Sequence, residues 1–343
     1  MDIFIGLLII AVGAFCQSSS YVPIRKIRQW SWETYWLVQG LFAWVLLPLG
    51  GAMLAVPEGG SLGTLMSTAS PFDVGMTLLF GALWGVGGLT FGLSMRYLGV
   101  ALGQSVALGT CAALGTIMGP VLLNAFFPEQ NALQSLTTAV LIGVAVTLAG
   151  IGIIGVAGQM RTASLSEEEQ RAAVKDYNFT KGIAIALLAG FMSGCFNVGL
   201  TFGEKLHFEG TSPMFASLPA TLLVTLGGFA TNAAYCLWQN HANHTWADYA
   251  NRRVWPGNLL FCILAGALWY SQFFGLALGK GFLAGNAQLT TFAFCILMAL
   301  NVVFSNVWGV ILKEWRGCTR ATLAVLAAGI AVLVASCFVP QLI

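Results

Sequence analysis

Residues 134–157 have the sequence QSLTTAVLIGVAVTLAGIGIIGVA, and residues 158–180 have the sequence GQMRTASLSEEEQRAAVKDYNFT. The first stretch has no charged side chain, and it is longer than the roughly 20 apolar residues that a membrane-spanning helix needs. The second stretch contains three consecutive glutamates and four basic side chains if Lys181 is included. The pair predicts a helix that crosses a bilayer, followed by a loop in water.

The same alternation runs through the whole chain. It predicts ten spans, at 2–22, 33–56, 72–94, 99–124, 134–157, 181–204, 212–237, 256–278, 282–311 and 319–338. The 158–180 stretch is the longest hydrophilic segment and separates five spans from five. We therefore expect a first five-helix repeat in 1–157, a cytoplasmic charged linker in 158–180 and a second five-helix repeat in 181–343.

The composition excludes several protein classes. Of 343 residues, 57% are hydrophobic and 8% are charged, whereas a soluble protein carries about 25% charged residues. The net charge of +2 is too small for a nucleic-acid partner. Phosphate-binding loops, HExxH and Cys/His clusters are absent from the sequence, so we expect neither an enzyme nor a bound cofactor or metal. The eight cysteines are scattered singly, as small buried hydrophobic residues are.

The basic residues predict the orientation, because short cytoplasmic loops are rich in Lys and Arg. Loops after odd-numbered spans hold 13 of them and the opposite loops hold Lys205 and Lys280. The 13 are Arg25, Lys26, Arg28, Arg96, Arg161, Arg171, Lys175, Lys181, Arg252, Arg253, Lys313, Arg316 and Arg320. With ten spans, both termini are then expected on the outer, periplasmic side of a bacterial inner membrane.

The two halves of the chain share short motifs. Gly-Ala-Leu-Trp occurs at 81–84 and again at 266–269, and Phe-Gly-Leu follows at 91–93 and at 274–276. Because five is an odd number, a repeated five-helix unit must be inserted upside down the second time. Inverted repeats are typical of secondary transporters, which bind substrate near the midplane of the membrane. Glycines at Gly99 and Gly281 are candidate hinges for the rocking motion.

Polar side chains within apolar spans cost free energy in hydrocarbon, so they tend to face a partner or a wet cavity. In this chain they are neutral amides, accompanied by aromatic rings. The substrate-binding candidates are Gln17, Trp84, Gln104, Asn197, Trp269, Tyr270, Gln272, Asn286 and Gln288. Rings that stack and amides that hydrogen-bond suit a neutral polyhydroxylated ligand, whereas an anion calls for a buried Arg or Lys.

Each of these signals has a purely structural alternative. Polar residues such as Gln17 also join membrane helices to each other, and Trp84 and Trp269 also fit an interfacial aromatic belt. The acids nearest to membrane depth are Glu33 and Glu204, both at span ends. Glu33 fits either an interfacial ion pair with the preceding basic residues or a proton-exchanging group, and Glu204 is a second proton-coupling candidate.

Five motifs together resemble the bacterial L-rhamnose/proton symporter family. They are WSWET at 30–34, GALWG at 81–85, MRYLG at 95–99, WYSQFF at 269–274 and LKEW at 312–315. They run from the first loop to the last, so the resemblance covers nearly the whole chain. It implies membership of the drug/metabolite transporter superfamily, ten helices in two inverted repeats, and sugar uptake coupled to protons.

We therefore expect an all-α integral membrane protein that takes up L-rhamnose or a related deoxy sugar by proton symport and alternating access. Its partners would be a small neutral sugar, a coupling ion and the lipid bilayer, and a homodimer is left open. One alternative keeps the fold and exports metabolites or drugs. Another is a membrane sensor that binds sugar without transporting it, although the central loop is too short for a signalling domain.

Overall fold

The computed structural model describes residues 2–98, 100–164 and 178–343. These residues form α-helices joined by turns and short 3-10 segments, and they contain no β-strand. The helices are α1 (Asp2–Ser19), α2 (Tyr21–Ile24), α3 (Trp32–Gly40), α4 (Leu47–Met53), α5 (Leu62–Thr68), α6 (Pro71–Leu98), α7 (Val100–Phe126), α8 (Thr138–Ala163), α9 (Phe179–Phe202), α10 (Leu218–Ala242), α11 (Trp255–Leu283), α12 (Ala287–Ile311), α13 (Arg320–Ser336) and α14 (Val339–Leu342).

Nine helical segments of the described residues are long and apolar enough to cross a membrane. They coincide with the first nine predicted spans, from Asp2–Ile24 to Ala287–Ile311. Helix α13 occupies the tenth position as a shorter apolar helix of 17 residues. The all-helical architecture and these apolar segments agree with the prediction of an integral membrane protein.

Some residues expected in loops are helical. Helix α8 continues to Ala163, so Arg161 lies in its last turn, and Lys280 lies in the last turn of α11. Basic side chains are favourable there because they oppose the negative end of the helix dipole. Gly281 is also within α11, where its backbone packs against Met214. Gly99, and residues 165–177 of the predicted linker, lie outside the described residues.

The chain divides into two compact units. Unit 1 consists of Met1–Gly85 and Gly199–Ala284, and unit 2 consists of Val86–Val198 and Gly285–Ile343. Two of the three boundaries fall inside α6 and α9, and each unit contains helices from both halves of the chain. The repeats predicted from the order of spans stay a prediction.

Helices in unit 1 approach closely at glycines. Helix α1 packs along α11, where a methyl group added at Gly13 would lie 2.8 Å from the carbonyl oxygen of Ser271. A methyl group at Gly6 would lie 3.0 Å from the carbonyl oxygen of Gly279. Such contacts gain dispersion energy between helices that share an apolar solvent. The backbone of α1 is thus fitted directly onto α11.

In unit 2, helix α12 packs against α7, α8 and α13. Its side chains are buried almost continuously from Phe292 to Val303. Gly143 and Gly115 make room for two of its rings, those of Phe292 and Phe294. Because α12 contacts protein on most sides, its apolar residues pack against other helices as well as filling a span.

Candidate functional site

Five aromatic side chains form one cluster in unit 1, called here the aromatic cluster: Trp36, Trp44, Trp84, Trp269 and Phe273. Trp44 is its hub, with ring centroids 5.6 Å from Trp36, 6.0 Å from Trp84 and 5.6 Å from Trp269. Trp84 and Trp269 are 5.7 Å apart, and both contact Phe273. Most of these pairs are edge-to-face, which is a favoured arrangement worth about 0.5–1.5 kcal/mol for each pair.

Trp44 reaches this position from a π-helical turn, Leu41–Leu46, between α3 and α4. The N–H of Leu47 bonds to the carbonyl of Phe42, five residues earlier rather than four. Pro48 follows and has no N–H, so it cannot supply the α-helical bond to the carbonyl of Trp44. π-Helical turns are rare and frequently occur at functional sites.

The position of Trp84 depends on a glycine of the neighbouring helix. Its six-membered ring lies directly against Gly228 of α10, where any side chain would collide with it. Asn232, one turn further along α10, donates to the carbonyls of Gly228 at 2.9 Å and Gly85 at 3.2 Å. The oxygen of the same amide accepts the indole N–H of Trp36 at 3.0 Å. Asn232 therefore fixes two edges of the aromatic cluster.

Unit 1 also contains buried polar atoms without a protein hydrogen-bond partner, one of them in the aromatic cluster. Within the described residues these include the indole nitrogen of Trp44, the phenol oxygen of Tyr270 and the side-chain oxygen of Gln39. The three side chains are 3%, 6% and 1% exposed. Leaving such a group unsatisfied costs about 1–3 kcal/mol, so the atoms are suited to a ligand that donates and accepts hydrogen bonds.

The structure brings two of the predicted binding residues, Trp84 and Trp269, together in unit 1. Trp84 and Trp269 are in the aromatic cluster, half-buried, and Tyr270 follows Trp269 with its hydroxyl against Gly51. Gln272 is buried where α11 meets α1, and Gln17 is half-buried on α1.

The four predicted residues of unit 2 are in separate places. Gln104 lines a cavity between α7, α8 and α12. Asn197 donates to the carbonyl of Gly115 at 2.8 Å, which ties α9 to α7. Asn286 caps α12, since its side-chain oxygen accepts the N–H of Leu289 at 3.0 Å. Gln288 is half-buried at the start of that helix. Helix-joining and capping contacts thus involve two of the four.

Glu33 is a buried carboxylate at the start of α3, with 5% exposure. Its Oε1 accepts hydrogen bonds from Asn243 Nδ2 at 3.0 Å and from Thr245 Oγ1 at 2.9 Å. Both donors are neutral and lie more than 200 residues away in sequence. The contacts described for this carboxylate are therefore amide and hydroxyl bonds rather than the ion pair considered from the sequence.

A second carboxylate, that of Asp248, contacts residues close to Glu33 in the sequence. Asp248 Oδ2 accepts from the backbone N–H and the hydroxyl of Ser31, both at 2.7 Å, and lies 3.0 Å from the hydroxyl of Thr34. Ser31 is the residue before α3, so the bonds hold the first turn of that helix against residues 245–250.

Asn240 connects the two carboxylates. Its Oδ1 is 2.8 Å from the hydroxyl of Thr245 and 3.0 Å from the hydroxyl of Thr34. Its Nδ2 donates to the phenol oxygen of Tyr249 at 3.0 Å, and burial raises the pKa of Tyr249, which keeps the phenol neutral. These side chains form what is called below the Glu33 network: Ser31, Glu33, Thr34, Asn240, Asn243, Thr245 and Asp248.

Glu204 has different surroundings. It lies in a 3-10 turn, Gly203–Lys205, after α9, and its side chain is exposed. Its backbone oxygen is 2.9 Å from Nδ1 of His207, and its carboxylate interacts electrostatically with Lys280. Of the two acids predicted for proton coupling, Glu33 is the one that is buried.

Sequence reasoning missed Gln39 and Trp44. One available signal was position, since both are polar-tipped side chains inside the second span rather than at its ends. Another was Pro48, which interrupts the helix one turn after Trp44. The partners of Glu33 had no such signal, because Asn243 and Thr245 are far away in sequence.

Comparison with known proteins places the chain among transporters. A family model described as L-rhamnose-proton symport protein (RhaT) matches residues 1–342. An L-rhamnose-proton symporter of Mannheimia succiniciproducens is 29% identical over 341 residues, which cover 97% of this chain and 96% of the relative. Symporters of the same name from Escherichia coli O1:K1 / APEC and Klebsiella pneumoniae subsp. pneumoniae are each 30% identical over 94% of this chain and 93% of their own. The chain therefore belongs to the L-rhamnose-proton symport protein family, which is a family of transporters and not of enzymes.

Proposed function

We propose that this protein takes up L-rhamnose together with protons. The observation that carries the proposal is the family match along residues 1–342, supported by relatives named L-rhamnose-proton symporter that align over nearly their full length. A neutral sugar also suits the chemistry of unit 1, where indole rings and unsatisfied neutral polar atoms occur together.

In this proposal the aromatic cluster binds the sugar. The faces of Trp84 and Trp269 offer stacking surface to the apolar side of a pyranose ring. The indole N–H of Trp44 donates to a sugar hydroxyl, the oxygen of Gln39 accepts from one, and Tyr270 does either. The remaining predicted binding residues keep this role as proposals: Gln17, Gln104, Asn197, Gln272, Asn286 and Gln288.

Glu33 is proposed to carry the coupled proton. When ionised, it accepts the hydroxyl proton of Thr245. When protonated, its own O–H donates to Thr245, whose hydroxyl proton then turns to Asn240 Oδ1, 2.8 Å away. The network thus accepts one proton without leaving a donor or acceptor unpaired. Glu204 is the second candidate, and its exposure supports a role at the protein surface.

The membrane arrangement belongs to the same proposal. Helix α13 is a predominantly apolar helix of 17 residues, which is at the lower limit of the roughly 17–25 needed for a span, and counting it gives ten. Ten spans with the Gly-Ala-Leu-Trp repeat support two inverted repeats, alternating access and membership of the drug/metabolite transporter superfamily. The bias of basic residues supports an inner-membrane protein with both termini in the periplasm.

The test is uptake of labelled L-rhamnose into proteoliposomes with and without an inwardly directed proton gradient. We expect the gradient to stimulate uptake and excess unlabelled L-rhamnose to compete. Uptake that ignores the gradient would contradict proton coupling. Failure of L-rhamnose to bind or compete would contradict the substrate, and outward movement of amphipathic compounds would favour the exporter.

A further inference from the structure

A cavity of about 140 Å³ lies inside unit 2, near the ends of α8 and α12 and the start of α7. It is smaller than the roughly 300–1,000 Å³ pockets that hold drug-sized ligands, which limits it to a small molecule. Its polar side chains include Gln104, Arg161, Asn306 and Glu314, and Trp315 forms part of the wall. Only Gln104 among them was predicted to bind substrate.

The end of α12 is shaped to place Glu314 and Trp315 at this cavity. The helix ends in a Schellman motif. The N–H of Glu314 donates to Gly309 O at 2.8 Å, and the N–H of Lys313 donates to Val310 O at 3.0 Å. Lys313 adopts the left-handed conformation that this closure requires, with φ of 61°. The chain therefore folds back over Gly309, where a side chain would meet the indole nitrogen of Trp315 at 2.9 Å.

The charges in the cavity balance each other. The guanidinium of Arg161 lies 5.4 Å from the ring centroid of Trp315, and the carboxylate of Glu314 lines the same space. An anion attracted by Arg161 would be repelled by Glu314, and a cation attracted by Glu314 would be repelled by Arg161. The balance favours a ligand with no net charge.

The remaining lining favours a ligand with several hydroxyl groups. Asn306 donates to the carbonyl of Val302 at 2.8 Å, a bond that does not use its side-chain oxygen. Gln104 has both a donor and an acceptor, and carboxylate and guanidinium groups bond neighbouring hydroxyls in pairs. Leu108 and Ile154 supply an aliphatic surface that fits a methyl group.

We propose that this cavity is a sugar-binding site of unit 2, additional to the aromatic cluster of unit 1, and that it takes a neutral deoxy monosaccharide. Gln104 and Asn306 bond its hydroxyls, Arg161 and Glu314 bond a neighbouring pair, and Leu108 and Ile154 contact its methyl group. The inference rests on the proposed function, because L-rhamnose is the deoxy sugar that this function supplies.

The test measures equilibrium binding of L-rhamnose to the purified full-length protein, in competition with analogues that each lack one hydroxyl. An analogue that lacks the hydroxyl bonded by Asn306 should bind the wild-type protein roughly three- to tenfold more weakly than L-rhamnose does. In Asn306→Ala that penalty should disappear, because the bond is already lost. In Gln104→Ala, the analogue that lacks the hydroxyl bonded by Gln104 should likewise bind as well as L-rhamnose does. This provides a second variant if one of them folds poorly.

Gln134→Ala serves as the matched control, since this glutamine is exposed in the same unit. It should discriminate among the analogues as the wild-type protein does. If both cavity variants also keep the full wild-type discrimination while binding L-rhamnose, the cavity is not a sugar site. If the wild-type protein itself neither binds nor transports L-rhamnose, the proposed function fails first, and that result is separate.

Discussion

At the residue scale, Glu33 shows how a buried acid is accommodated. A buried carboxylate at the end of an apolar span is costly unless its oxygens are hydrogen-bonded. Here the donors are Asn243 and Thr245, and the hydroxyls of Thr34 and Thr245 have acceptors on two sides. Because each hydroxyl has one proton and two short acceptor contacts, the network has room for one more proton.

Glu33→Gln should abolish gradient-stimulated L-rhamnose uptake while binding is retained. The amide fills the same volume and keeps bonds to Asn243 and Thr245, yet it has no proton to exchange. Uptake with and without the gradient, together with its pH profile, measures the effect. The control is Glu58→Gln, at an exposed position of the same unit. A pH profile that matches the wild-type one would remove Glu33 as the coupling group.

Trp269→Ala should weaken L-rhamnose binding by roughly tenfold or more. The substitution removes a stacking surface worth on the order of 1–3 kcal/mol when hydrogen-bonding neighbours are disturbed as well. Trp269→Phe should recover most of the affinity, because a flat ring remains. Trp246→Phe, at an exposed indole, is the control. Unchanged KM and maximal rate of uptake in Trp269→Ala would exclude the residue from the sugar site.

Residue identity predicted part of the candidate site. Trp84 and Trp269 were suggested by their place inside apolar spans, and the structure brings them to 5.7 Å. Trp44 was missed because the sequence does not tell whether a tryptophan in a span contacts lipid, protein or ligand. That depends on the rotation of its helix about the helix axis. The structure rotates it by a π-helical turn, which no pattern of hydropathy records.

At the scale of elements, close helix contacts depend on the absence of side chains. Gly13 lets α1 approach the backbone of α11, whereas Gly50 of α4 faces open space, with no atom within 4 Å of an added methyl group. The two glycines are chemically identical and are distinguished only by their neighbours. Alanine substitutions at these two positions therefore distinguish the effect of helix packing on stability from the effect of helix propensity.

Gly13→Ala should destabilise the protein by about 1–3 kcal/mol, because the added methyl group overpacks the contact with Ser271. Gly50→Ala should be neutral or gain up to about 1 kcal/mol from better helix propensity. Thermal unfolding of both variants in detergent measures the difference. Equal transition temperatures would contradict the close approach of α1 to α11.

At the scale of the whole molecule, the basic residues predict an orientation in the membrane. The 13 basic residues in or near one set of predicted loops, against two for the other set, predict that both termini face the periplasm. Alkaline phosphatase fused after Ile343 should therefore be active, and green fluorescent protein fused at the same position should stay dark. A fluorescent fusion would show an odd number of spans or the opposite orientation.

Local sequence patterns were enough to predict the nine long apolar helices and the transporter family. This was possible because a backbone in hydrocarbon must satisfy its own hydrogen bonds, as a helix does. A long apolar run in the sequence is therefore a local signal of a spanning helix. The contacts between distant residues required the folded chain: Trp44 with Trp269, Glu33 with Asn243, and Arg161 with Trp315. Helix rotation and helix pairing depend on long-range packing, and single-chain periodicity does not encode it.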